Sequence, residues 1–281
     1  MKAGTDLRKH FVEHGWVHVK NVFPATEIEK LREEVIASID PARPNGNTGD
    51  ILSNPQLNYL LHDDRFLDII KEILPPGQLA YFGDSNFLFG DSAFGAFHKD
   101  NADRNDPNAP DWDGEYDICR SGIYLESHVK DSGGLLLRDK SSNTLSIKEG
   151  NPFNVPVEIG DLVVWNLRTT HSGNARLFKI FPNFIIDSKY YPLIPKLFFR
   201  KQKKPRGAIF ISIGREGKHL QRYMKYLKTR KYMVSLWKTS RYNPEAVKEV
   251  EKHAIKVIDM TSEAKGIDLD ALNEQHKDIP Y

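Results

Sequence analysis

From Gln78 to Ile213 the chain passes through nine short apolar runs: QLAYFG, SNFLFG, GAFHKD, YDICRSGIYLES, GGLLLR, NTLSI, VPVEI, DLVVWNL and GAIFISI. Gly, Asn, Asp and Ser punctuate them. Runs of roughly four to eight residues rich in β-branched and aromatic side chains read as strands, and their close spacing asks for a sandwich or barrel. No helical stretch alternates with them, which excludes a doubly wound sheet. No internal repeat is visible.

Helical periodicity is confined to the flanks. Leu7 and Phe11 open a helical turn that gives way past Gly15 to the strand-like alternation of Trp16, His18 and Lys20 against Val17 and Val19. Thr26 with Glu29 makes a capping box that predicts a helix over EIEKLREEVIASI. Apolar spacing predicts a second helix from Pro55 to Leu74, with His62 on its surface. Past Arg206 the segment GKHLQRYMKYLKTRKYM reads as helix, and Asn243-Pro244 caps another over EAVKEVEKHAIKVIDM. The expected fold is mainly β with flanking helices, as one domain over residues 1–281. Residues 1–77 supply helices and a strand, 78–214 the β core with an insertion at 182–205, and 215–281 helices packed outside.

Composition narrows the setting. Cys119 is the only cysteine, which excludes an intramolecular disulfide and a Cys-rich zinc site. No apolar run reaches the roughly 18 residues of a membrane span, and MKAGTDLRKHFVEHG has no secretory apolar stretch. A cytoplasmic setting is expected. The formal net charge of +2 conceals segregation: residues 189–241 hold 16 Lys or Arg against one acid, Glu216, leaving −13 elsewhere. One flank is expected to face something anionic.

His98-Lys99-Asp100 ends an apolar run. The same H-x-D spacing occurs at His62-Asp63-Asp64 and His276-Lys277-Asp278, so spacing alone carries no information. Context separates them, because only His98 and Asp100 close a strand-like segment, where residues i and i+2 share a face. The best third ligand is His171, at the end of the buried run in EIGDLVVWNLRTTHSGNA. Two His and one carboxylate form a facial triad that leaves about three positions open on an octahedral ion. Such a set suits Fe(II), and also zinc or manganese.

The order of these pieces resembles the phytanoyl-CoA dioxygenase family of Fe(II)- and 2-oxoglutarate-dependent oxygenases. FVEHGWVHVKNVFPATEIEKLREEV is similar to that family's N-terminal segment, FHKD to its H-x-D, Ser132–Gly134 to the turn between its strands, and EIGDLVVWNLRTTHSGNA to its distal-histidine segment. The likeness spans residues 11–214. It implies a double-stranded β-helix (jelly-roll, cupin-like) core, the cofactors Fe(II), 2-oxoglutarate and O2, and His98, Asp100 and His171 as metal ligands. It also implies an arginine on the far carboxylate of 2-oxoglutarate, a job suited to a bidentate guanidinium. Arg206, which opens RGAIFISIG, is favoured; Arg176 in HSGNARLF is the rival. Asn86 is a candidate amide beside the cosubstrate. Halogenating members of the superfamily lack the carboxylate, so Asp100 implies hydroxylation or a related C–H oxidation.

Two segments flank this constellation. Residues 100–117 hold seven acids and one base, Arg104, and read as a lid, a substrate wall or a solvated loop. Asn101, Asp103, Trp112 and Arg168 are the candidate substrate contacts. The insertion at 182–205 mixes aromatic and aliphatic residues with six bases, and Pro192 and Pro195 argue against one long helix. It suits peripheral contact with an anionic membrane, extended over 182–241 by the basic helix that follows, or packing on the β core. Nucleic acid is a weaker partner, since most of these aromatics cluster with aliphatics. The expected function is an Fe(II)/2-oxoglutarate hydroxylase acting on an anionic or lipid-linked small molecule or glycan. The alternatives are a non-catalytic module for membrane or polyanion, and a triad holding another metal for hydrolysis.

Overall fold

Along β3 (Ile118–Tyr124), β6 (Leu162–Asn166) and β8 (Gly207–Arg215), side chains alternate between two buried faces. Cys119, Ile123, Leu162, Val164, Ile209, Ile211 and Ile213 pack on one side against Ile28, Leu31 and Val35 of α2 (Ala25–Ala37) and Phe66 and Ile70 of α3 (Asp64–Ile73). Tyr124, Val163, Trp165 and Ala208 point the other way, toward Leu135, Leu137, Val155 and Val157. Each fully buried aliphatic of this kind stabilises the fold by about 1.5–3 kcal/mol. The computed structural model describes residues 6–37, 39, 49–90, 95–173 and 175–272. The His276 motif lies outside them.

The strands form two sheets. The larger runs β1-β6-β3-β8-β2-β9, with β1 Trp16–Val19, β2 Leu79–Phe89 and β9 Ile255–Val257. Its neighbours are antiparallel except β2 and β9. The smaller runs β5-β4-β7, from Asn151–Asn154, Leu136–Asp139 and His171–Ser172. Both edges of the large sheet come from outside residues 78–214, so the flanks complete the core. α1 (Leu7–His14) ends where Gly15 turns left-handed and sends the chain into β1. Buried His18 of β1 bonds Asp161 at 2.7 Å, tying the N-terminal segment to the turn before β6. Gly160 in that turn has φ +89°, and a Cβ there would strike the Phe23 carbonyl.

Several local expectations differ from the structure. QLAYFG and SNFLFG are one strand, β2, because Tyr81 pairs with Ile213 and Ser85 with Ile211, four steps against two. This two-residue bulge preserves the alternation and swings Asp84 out of the ladder. GAFHKD contributes a single bridge, His98 to His171, rather than a strand. NTLSI forms none, and β5 precedes VPVEI instead of containing it. The 55–74 helix breaks because the Asp63 side chain caps a new start at Asp64. α2 begins at Ala25, where the Pro24 carbonyl takes the first amides, so Thr26 lies inside the first turn. The segment after Gly217 is two helices, α4 (Lys218–Leu227) and α5 (Lys231–Thr239). α6 (Pro244–Lys252) stops before Ala254, whose φ is +61°, and the β-branched Ile255 and Val257 form β9. α7 (Met260–Glu263) follows.

The charge segregation also resolves in space. Lys218 pairs with Asp113, Arg222 with Asp103, and Lys228 with Glu263. Much of the basic C-terminal helix pair therefore faces this chain's own acids, chiefly in the loop at 100–117.

Candidate metal centre and its cavity

The backbones of His98 and His171 exchange two hydrogen bonds at 2.9 Å, bringing a loop residue and β7 side by side. Their rings lie 4.2 Å apart between centroids. Each Nδ1 faces a carbonyl two residues back, Ala96 at 2.8 Å and Thr169 at 3.0 Å. Donation there fixes the tautomer and leaves both Nε2 lone pairs for an ion. The Asp100 oxygens lie 3.6 Å from His98 Nε2 and 3.4 Å from His171 Nε2. All three ligand atoms fall within 4.8 Å of one another. Lys99 between them turns away and is buried, its Nζ donating to the Ser141 and Arg168 carbonyls at 2.6 and 2.5 Å. The i and i+2 logic thus holds for the pair although the segment is not a strand.

Arg120 on β3 orients the carboxylate. Its Nη1 donates to Asp100 at 2.8 Å, its Nη2 to Asp84 at 2.5 Å and its Nε to Ser212 at 3.1 Å. Asp84, delivered by the β2 bulge, also accepts from Ser212 and Tyr223 at 2.8 and 3.1 Å. Burial pushes the Asp100 carboxyl up, but the Arg120 charge and then His171 outweigh it and hold the group well below the usual range. Burial, reinforced by His171, pushes His98 down to about 3. The Asp100 carboxyl is therefore ionised beside Arg120, and the His98 imidazole is neutral.

A cavity of about 250 Å³ opens on the triad between the two sheets. Asn86, Trp165, Arg206 and Phe210 line it from the large sheet, and Leu135 and Gly173 from the other side. Arg206 is buried. Its Nε donates to the Gly133 carbonyl at 2.8 Å, within the SGG turn, and its guanidinium lies 5.5 Å from the Tyr124 ring. Arg206 Nη1, Trp165 Nε1 and Asn86 Oδ1 are buried without hydrogen-bond partners among the described residues. Unmatched buried polar groups are costly, so this cavity suits a polar occupant. A carboxylate is the natural match for the free arm of Arg206. Arg176 instead lies 5.1 Å over Tyr191 and borders a separate cavity.

None of the four expected substrate contacts lines the triad cavity. They brace the acidic loop internally, because its buried polar groups need partners. Wholly buried Asp111 accepts from Asn101 Nδ2 at 3.0 Å and from the Asp103 amide at 2.8 Å. Trp112 donates to the Asp103 carbonyl at 2.6 Å, and Arg168 to the Asp111 carbonyl at 3.1 Å. Asp103 pairs with Arg222 of α4. The loop is a pinned wall, and the residue it sends to the cavity is Arg104, whose Nη2 donates to Tyr226 at 2.7 Å. Tyr223, Tyr226 and Tyr232 of α4 and α5 complete the rim. Arg120, Asp84 and these tyrosines escaped the sequence reading. The signal for Arg120 was a cation inside an otherwise buried strand.

No protein-family profile matches the sequence, and comparison with curated proteins gave no match. Solved structures do share the fold. A nickel complex of the non-heme monooxygenase ThoJ is 17% identical with a TM-score of 0.52, over 75% of this chain and 77% of that one. HygX from Streptomyces hygroscopicus, with nickel and 2-oxoglutarate bound, is 16% identical with a TM-score of 0.53, over 76% and 88%. EctD from S. alaskensis, with 2-oxoglutarate and 5-hydroxyectoine, is 14% identical with a TM-score of 0.51, over 76% of each chain. At such identities the likeness concerns the fold alone. No helix among the described residues is long and apolar enough to cross a membrane.

Proposed function

We propose that the protein is an Fe(II)- and 2-oxoglutarate-dependent oxygenase with a double-stranded β-helix core. The observation that carries the reading is one cavity holding both a convergent His98–Asp100–His171 set and the unmatched Arg206 Nη1. Iron and 2-oxoglutarate, when bound, supply O2 activation for C–H oxidation. Within that chemistry the two Nε2 atoms and the Asp100 carboxylate hold one face of the metal. Arg120 keeps the carboxylate ionised and aimed. Arg206 receives the far carboxylate of 2-oxoglutarate, with Asn86 beside it, while Leu135, Trp165 and Phe210 keep water out. Neighbours of the same fold that contain 2-oxoglutarate support the cosubstrate. The narrower kinship with the phytanoyl-CoA dioxygenase family rests on the sequence motifs.

Arg104, Tyr223 and Tyr226 line the same cavity and favour an anionic or polyhydroxylated substrate, whether a small molecule, a lipid-linked one or a glycan. Hydroxylation is the reaction assigned, because Asp100 is present. The test is 2-oxoglutarate turnover without added substrate. Slow succinate formation that requires both Fe(II) and O2, and is lost in His98→Ala, supports the reading. Tight metal binding with no 2-oxoglutarate consumption overturns it in favour of a hydrolytic metal site.

A further inference from the structure

Nine large apolar side chains are exposed among the described residues, and seven of them lie between Ile180 and Phe198. Ile180 is 78% exposed, Leu193 77%, Phe181 68% and Leu197 65%. The segment that carries them has its own small core. Phe178 and Phe199 form an isolated bridge, with the Lys179 amide on the Phe198 carbonyl at 2.9 Å and the Arg200 amide on the Leu177 carbonyl at 2.7 Å. Tyr191 packs on Phe199 at 5.6 Å between ring centroids, under the Arg176 guanidinium. The chain folds as two short 3-10 turns, Ser188–Leu193 and Lys196–Phe198. Leu193, Leu197 and Phe198 therefore project from an ordered support. Apolar exposure concentrated in one place marks a contact surface.

Charge identifies the partner. Residues 176–204 contain eight Lys or Arg and one acid, Asp187. Lys179, Lys196, Lys201 and Lys204 are exposed along the same segment, and exposed Lys203 lies 3.7 Å from Asp131. This differs from α4, where several cations pair with this chain's own acids. A second copy of the chain would oppose two patches of the same sign. A bilayer with anionic headgroups accepts both features, since apolar side chains enter the interface while lysines remain among phosphates. We propose that residues 179–204 are a membrane-docking element for anionic lipid surfaces, narrower than the whole basic stretch to residue 241. A cavity of about 480 Å³ lies behind it, bordered by Arg176, Tyr191, Lys196 and Gly95, three residues before His98. The inference does not depend on the metal chemistry.

The experiment is flotation of the full chain with vesicles of phosphatidylcholine alone or with added phosphatidylserine. The wild type is expected to float with the anionic vesicles and to dissociate as salt rises. Phe181→Ser/Leu193→Ser/Leu197→Ser and, separately, Lys201→Glu/Lys204→Glu are each expected to weaken binding at least tenfold. All five positions are on the surface, and the circular dichroism of both variants should match wild type. Lys225→Glu on α4 should bind as wild type does. Failure of the wild type to float, or flotation unaffected by the serine variant, overturns the proposal. So does a dimer that the serine variant dissolves while vesicle binding is absent, since the face would then be a contact between copies.

Discussion

Replacing Arg120 with methionine removes the cation that holds Asp84 and Asp100, at 2.5 and 2.8 Å. Both carboxylates are mostly buried, with side-chain exposures of 5% and 14%. Breaking a buried pair leaves uncompensated charge and costs about 3–5 kcal/mol, a large share of the roughly 5–15 kcal/mol that stabilises a domain. Here one cation serves two acids, so the loss belongs at the upper end. Asp84→Asn in the same background should recover about 2 kcal/mol. The amide carries no charge and its oxygen can still accept from Ser212 and Tyr223, the two donors that Asp84 has besides Arg120. Urea unfolding of the metal-free proteins at neutral pH, compared at equal slope, reads both steps. A single variant within about 1 kcal/mol of wild type, or a double variant no more stable than the single, would refute the claim that Arg120 neutralises the pair.

Three further outcomes are expected. Burial pushes the Asp50 carboxyl up to about 6, against hydrogen bonds from Tyr81, the Leu52 amide and Ser85. The native state therefore holds a proton that the unfolded chain releases near 4, and stability should fall by about 2 kcal/mol as pH rises from 4 to 6. Asp50→Asn should flatten that slope in urea melts, and an unchanged slope would contradict it. Gly160→Ala places a Cβ against the Phe23 carbonyl at φ +89° and should cost about 2–3 kcal/mol, read as a lower thermal midpoint. Arg206→Lys keeps the charge but loses the fork, so KM for 2-oxoglutarate should rise about tenfold or more with a smaller change in kcat. An unchanged KM would return Arg176 to consideration.

The β core was legible because both faces of its strands are buried, which makes DLVVWNL and GAIFISI nearly continuous apolar runs. The first two ligands of the triad were legible because, of three H-x-D pairs, only His98 and Asp100 close an apolar run. The third needed only a histidine at the end of a buried strand. Long-range pairing left less trace. Nothing local marks Ile255–Val257 as the edge partner of Leu79–Tyr81, since three residues after a helix carry too little pattern. Arg120 and Asp84 meet only through the β2 bulge, whose length depends on pairing with β8. Asn101, Asp103 and Trp112 follow Asp100 in the chain, and Arg168 lies three residues before His171. A loop that buries Asp111 must instead spend such groups on itself, and Asn101, Asp103, Trp112 and Arg168 do that. Charge counting along the chain could not foresee that the acids of residues 100–117 would meet the bases of α4.

The most direct test of the central claim is an anaerobic titration of Fe(II) and 2-oxoglutarate into the metal-free protein, followed by visible absorption. Chelation of the cosubstrate at an iron held by His98, Asp100 and His171 predicts a weak charge-transfer band that needs both additions, disappears in His171→Ala and weakens in Arg206→Met. A folded wild type that binds Fe(II) and shows no band with 2-oxoglutarate would contradict it.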